Sequence, residues 1–205
     1  MSDKASRVRG ALLEAGLETF NTVGYEAATI GEIRGKVDVS NGSFFHFFPN
    51  KRALAATLFI DALQHYHAAM QSALTPSQSA TDGVKRLIST HIGWVVENRP
   101  RALFLFEKSR AEWLADVREA QAATNRDLRD HIEAWREPLI HSGDLQDMST
   151  DTFISQIIGP AQIFCRAWLS GRNDEDPRCH ANELTACAIR ALIAREGFSP
   201  PRGAL

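Results

Sequence analysis

Apolar positions recur at steps of three and four residues through most of this chain, and no stretch alternates with period two for long enough to make a strand. The pattern predicts an all-α protein of about nine helices. Residues 6–23 form the first, with Leu13, Leu17 and Phe20 on one face and Leu12 and Gly16 beside them. Gly16 costs about 1 kcal/mol relative to Ala in a helix interior, which suits a position where a neighbour comes close. Gly24 is placed to end the helix in a left-handed cap. Thr29 and Glu32 have the spacing of a capping box, and Ile30, Ile33 and Val37 give the second helix its apolar stripe. Gly35 and Asp38 end it, Val39 plugs the turn, and Ser40 caps a short helix over 41–47 that Pro49 stops. A longer helix over 50–74 carries Leu54, Leu58, Ile60, Leu63 and Tyr66. The Thr75-Pro76-Ser77-Gln78-Ser79 run is the clearest break. Beyond it, helices are expected over 81–98, from Pro100 through Phe106, over 113–140, from the Ser149 cap to Leu169, and over 181–195. The break between the second and third of these falls within 109–118, and the tail 199–205 reads as frayed.

The layout over 29–51 is helix, tight turn, helix, with small polar residues leading the second helix and aromatics behind them. That is the arrangement of a helix-turn-helix DNA reader, whose second helix enters the major groove by its N-terminal residues. Charge adds little. The net charge is −2; residues 1–52 hold seven basic against six acidic residues, and 53–205 hold sixteen against nineteen. A positive DNA-facing surface would have to come from the placement of a few cations and helix N-termini. With 44% hydrophobic and 23% charged residues and no apolar run near the roughly 20 residues that span a bilayer, the chain reads as a globular, non-membrane protein. The opening MSDKASRVRG has no apolar signal core, so a cytoplasmic location is expected. Cys165, Cys179 and Cys187 include no CxxC pair, and no zinc site or disulfide frame is expected. His65 and His67 are two apart on a helix and point to different faces, so they make poor joint metal ligands. No phosphate-binding glycine loop, HExxH or GxSxG occurs; no cofactor, metal or enzymatic activity is expected.

The ordered set Arg9, Leu12-Leu13, Leu17, Phe20, Gly24-Tyr25, Thr29-Ile30, Ile33, Val39-Ser40, Gly42-Ser43, Phe45, Phe48 and Lys51 resembles the N-terminal domain of tetracycline-repressor (TetR) family transcriptional regulators. Three positions depart from the family pattern: Phe45 stands where Tyr is frequent, Asp38 where Gly is usual, and Arg34 where a small residue is usual. Residues 1–52 are then a three-helix DNA-binding domain, linked through helix 50–74 to a helical effector-binding and dimerisation domain over 53–205. On the reading helix, Asn41 and Ser43 can donate or accept at base edges, Gly42 allows close backbone approach, Phe44 can touch a thymine methyl, and His46 can reach a base or a phosphate. Thr29, Ser40 and Lys51 are candidates for phosphate contacts, which set register without carrying sequence information. The resemblance also suggests a phosphate contact for Arg9; a solvated surface arginine is the plainer alternative. Phe45 and Phe48 are expected to pack in the core.

In the family the middle helices enclose a small-molecule pocket. The lining candidates here are His91, Trp94, Val95, Leu103, Phe106, Trp113, His131, Trp135, Gln162 and Phe164, a set that would suit an aromatic or extended apolar effector; the plainer alternative for each is core packing. The last two helices carry the stripes Phe153, Ile157, Ala161, Phe164, Trp168 and Leu184, Cys187, Ala188, Ala191, Leu192. Such stripes could close the monomer core, but the resemblance implies that Phe153, Ile157, Ala161, Trp168, Leu184, Ala188, Ala191 and Leu192 pair two subunits as a four-helix bundle. The function implied is a homodimeric repressor on a palindromic double-stranded DNA operator, released by an effector. An activator or ligand-independent regulator on the same fold, and a helical ligand-binding protein without DNA function, stay open.

Overall fold

A computed structural model describes residues 3–107 and 113–193. Among them are nine α-helices, a short 3-10 turn at Pro177–His180 and no strand; one isolated antiparallel bridge pairs Leu145 with Ile193. The helices are α1 Asp3–Ala27, α2 Ile30–Gly35, α3 Asn41–Phe47, α4 Lys51–Ser72, α5 Ala80–Glu97, α6 Arg99–Glu107, α7 Leu114–His141, α8 Thr150–Leu169 and α9 Ala181–Leu192. The expected number and order of helices are met, with ends within a few residues of those read from the pattern. The described part of α6 ends at Glu107 and α7 begins at Leu114; residues 108–112, part of the expected 109–118 break, lie outside the described residues, as do the tail 199–205 and the last predicted helix beyond Ile193.

Several local expectations hold in detail. Thr29 accepts a hydrogen bond from the Glu32 amide while the Glu32 carboxylate accepts from the Thr29 amide at 2.8 Å, which closes the capping box. That backbone hydrogen bond holds the Glu32 carboxyl below the usual carboxylate range. Ser40, Asn50, Ser79 and Ser149 each accept from a backbone amide at the start of α3, α4, α5 and α8. Gly24 differs: its φ is 82° but its ψ is 160°, so it bends the chain without a left-handed cap, and one more helical turn follows to Ala27.

α1 and α4 approach closely at Gly16, where an added Cβ would sit 2.8 Å from a Leu54 methyl. The core is continuous from end to end of the molecule. α4 packs mainly on α7, and α5 on α8 and α9, while α6 bridges α1, α4, α5 and α8. An aromatic column joins the first three helices to the rest. Phe20 of α1 stacks on Phe104 of α6 (centroids 5.9 Å apart), and Phe104 stacks in turn on Trp113 (5.6 Å). Trp113 also meets Tyr25 and Phe59. Every ring in that column except Tyr25 is buried. Offset and edge contacts of this kind add about 0.5–1.5 kcal/mol per pair beyond area burial.

Candidate nucleic-acid interface and effector cavity

The turn between α2 and α3 is held by its own side chains. Asp38 takes φ 54°, the conformation that Gly more often supplies, and Arg34 donates to the Val39 carbonyl at 3.2 Å across the same turn. Val39 is half-buried rather than a sealed plug. α3 then emerges with Ser40, Asn41, Gly42, Phe45 and His46 exposed, Ser43 and Phe47 half-buried, and Phe44 and Phe48 buried at its base. The Ser40 hydroxyl accepts from the Ser43 amide at 3.2 Å. A polar leading turn, with backbone amides free at its tip, stands on an aromatic floor.

Three of the expected assignments on this surface are corrected. Phe44 is fully buried, with Phe45 and Phe48 at 5.5 and 5.9 Å, so it cannot reach a thymine methyl. Phe45, expected in the core, is 50% exposed and takes that outward place. Lys51 does not present its ammonium to solvent. Its Nζ donates to the Tyr25, Glu26 and Ala28 carbonyls at 2.7, 3.1 and 2.8 Å, which uses all three of its protons to close the open end of α1. Thr29 remains committed to its cap, a role compatible with anion binding nearby. Arg9 is half-buried with its guanidinium 5.7 Å from the Phe48 ring centroid, beside α4 rather than at the tip of α3.

A cavity of about 520 Å³ lies between α4, α5, α7 and α8. Its walls are Tyr66, Met70, Leu87, Leu128, Ile132, Phe153, Ile154, Ile157 and Ile158; Ala122, Asn125, Arg126 and Arg129 of α7, His67 of α4 and Asp151 of α8 complete it. None of the ten residues expected to line the effector pocket borders this cavity. His91, Trp94, Val95, Trp113 and Trp135 are buried in core packing, and Leu103, Phe106, Gln162 and Phe164 are half-buried beside it. His131 is exposed, its Nε2 3.1 Å from the Gln71 carbonyl. The physical reason is that apolar spacing marks the inward side of each helix but not which inward residues stand back from their neighbours.

The same reason corrects five of the eight expected subunit contacts. Phe153, Ile157 and Ala161 of α8 and Ala188 and Leu192 of α9 are buried within one chain, and Phe153 and Ile157 are cavity walls. Trp168 and Leu184 are half-buried and Ala191 is exposed. The outward side of α8 carries instead Gln156, Gly159, Pro160 and Ile163, the last 68% exposed, and that of α9 carries Ala186, Cys187 and Ala191.

Two polar features escaped the pattern. Arg136 is fully buried: it donates to Glu133 (2.9 Å), to the Thr150 hydroxyl (3.0 Å) and to the Met148 carbonyl (2.8 Å), with its guanidinium 4.5 Å from the Phe153 ring centroid. It thereby fixes a cavity wall from behind. Tyr66 and His91 form a buried pair at 2.8 Å; burial pushes the Tyr66 hydroxyl well up and the His91 imidazole down to about 4. Neither carries a motif; both sit on helical stripes that look like ordinary core.

A solvent-facing polar helix tip on an aromatic base, with a long helix leading from it to a cavity, defines a helix-turn-helix DNA-binding regulator. Residues 12–58 match the family model described as bacterial regulatory proteins, tetR family. Over 185 residues, 89% of this chain and 95% of the relative, the sequence is 23% identical to an uncharacterized HTH-type transcriptional regulator, YhgD, of Bacillus subtilis (strain 168). The fold is that of a tetR-family regulatory protein from Rhodococcus RHA1, with a TM-score of 0.73 and 23% identity over 96% of this chain and all of that one. It is also that of the transcriptional regulator FadR of Bacillus subtilis, solved in complex with stearoyl-CoA, with a TM-score of 0.75 and 16% identity over 93% of this chain and 99% of that one. Residues 12–58 are thus similar to bacterial regulatory proteins of the tetR family, and the chain is a helix-turn-helix DNA-binding regulator.

Proposed function

We propose that this regulator is a repressor that occupies a palindromic operator as a homodimer and leaves it when a small molecule fills the cavity between α4, α5, α7 and α8. Residues 1–52 act as the reading unit and 53–205 as the effector and dimerisation unit, working in the cytoplasm. The observation that carries the reading is the outward tip of α3. Asn41, Gly42, Phe45 and His46 stand clear of the surface on buried Phe44 and Phe48, in the order that puts hydrogen-bonding groups first into a groove. Two such tips about 34–36 Å apart would match one turn of DNA, which is why a two-fold partner belongs to the proposal. On the outward sides of α8 and α9, the small residues Gly159, Pro160, Ala186, Cys187 and Ala191 beside exposed Ile163 suit close helix pairing between subunits.

The route from cavity to tip is short. α4 supplies Tyr66, His67 and Met70 to the cavity and begins at Lys51, next to α3. α7 supplies the facing wall and, at its start, Asp116 pairs with Arg52 of α4. An occupant that prefers α4 and α7 further apart shifts the equilibrium towards tips out of register with the operator, by as much as its affinity differs between the two states. Fluorescence anisotropy with DNA from upstream of the protein's own gene tests the reading. Saturable binding that falls steeply with salt is expected; equal affinity for that DNA and for unrelated DNA of the same length would contradict it.

A further inference from the structure

From the rim of the cavity we infer the chemical class of its occupant: an apolar body ending in an anion, a carboxylate or a phosphate. The inference rests on the reading of this cavity as the effector site. The inner walls are aliphatic and aromatic, so the body of the ligand must be apolar. The rim is not neutral. Arg126 and Arg129 lie three residues apart on α7, on one side of that helix, and both border the cavity. Arg129 donates to the Asp151 carboxylate across the opening, which balances one of the two charges. Arg126 is exposed and has no hydrogen-bond or ion-pair partner among the described residues. The α4 side contributes no compensating charge. His67 is largely buried, its Nδ1 donates to the Thr124 carbonyl at 3.1 Å, and burial lowers its tendency to take up a proton despite nearby Asp127. Asp127 and Asp130 share α7 but are not among the cavity residues. The opening therefore holds one unbalanced guanidinium and a second in a pair that another anion can exchange into. Guanidinium groups bind carboxylate and phosphate oxygens through paired N–H donors, a geometry that a hydroxyl head cannot match. An incoming anion that displaces Asp151 from Arg129 removes one link between α7 and the first turn of α8 and leaves the Arg136 links in place.

The test uses the full-length protein with dodecanoate, dodecyl phosphate and dodecanol as probes, followed by isothermal titration and thermal melting. At least one of the two anions should bind roughly tenfold tighter than dodecanol; which one does separates a carboxylate from a phosphate head. Arg126→Gln with Arg129→Gln should abolish that preference, while Arg86→Gln on the outer side of α5 leaves it intact. Ala122→Trp should block all three probes by filling the opening. Should the double variant fold poorly, as judged by circular dichroism, Arg126→Gln alone must still halve the preference or more. Dodecanol binding as tightly as both anions, a preference that survives the arginine substitutions, binding that persists in Ala122→Trp, or no binding by any probe overturns the inference. Anisotropy on operator DNA keeps the two proposals apart. Anion-selective binding without release of DNA sinks the ligand-released reading and leaves this one standing; release by some other molecule with no anion preference does the reverse.

Discussion

At the scale of single residues, Phe44 and Phe45 have exchanged the roles that spacing suggests. A seven-residue helix gives too short a stripe to fix its rotation, and adjacent phenylalanines leave the inward one ambiguous; the burial of Phe44 beside Phe48 decides it. Phe44→Ala should cost about 3–5 kcal/mol in chemical denaturation, as for a fully buried aromatic, whereas Phe45→Ala should leave stability within about 0.5 kcal/mol and act on DNA affinity. Lys51 is a second case. Its position beside the reader suggests a phosphate contact, but its three bonds close the end of α1, so Lys51→Ala should lower stability by about 1–3 kcal/mol. A variant that melts like the parent but binds all DNA more weakly would restore the phosphate role. His91 gives the pH dependence. Its folded-state value lies near 4, below the ordinary 6.5, so the unfolded chain takes up a proton before the folded one does. Stability should therefore fall as pH drops from about 6.5 towards 4, and His91→Gln should flatten that slope in melts run across the range.

At the scale of elements, the caps and breakers placed most helices to within a few residues, because Thr29, Ser40, Asn50, Ser79 and Ser149 each satisfy amides that nothing else reaches. Facing was less legible. The stripe on α8 is real, but its Phe153 and Ile157 turn towards the cavity rather than a second subunit, and nothing in a one-dimensional pattern separates an intrachain face from an interchain one. The buried Arg136 and the cavity itself had no signal, since both depend on how α7 and α8 diverge after they pack. The Arg52–Asp116 pair joins the start of α4 to the start of α7. It is exposed, so it contributes little to stability; its predicted role is to couple the two helices. Arg52→Ala or Asp116→Ala should leave the melting temperature near that of the parent and reduce effector-induced release of DNA several-fold. Full release in both variants would show that coupling runs elsewhere, the Phe20–Phe104–Trp113 column being the next candidate.

At the scale of the whole molecule, the reading unit and the helical body share one continuous core, so a change in the body can reach α3 without a hinge between separate globules. Two-fold assembly through α8 and α9 predicts that Ile163→Glu yields a monomer in sedimentation, with an unchanged helical spectrum and weakened operator binding. A parent protein that is already monomeric at micromolar concentration, or a variant that stays dimeric, would move the interface off this face.

The most direct test of the central claim is the affinity for operator DNA, across a range of salt, of the parent and of the Asn41→Ala, Phe45→Ala double variant. The variant should keep its melting temperature and its salt slope but lose about tenfold or more of its preference for operator over unrelated DNA. An unchanged preference would mean that the tip of α3 is not what reads the sequence.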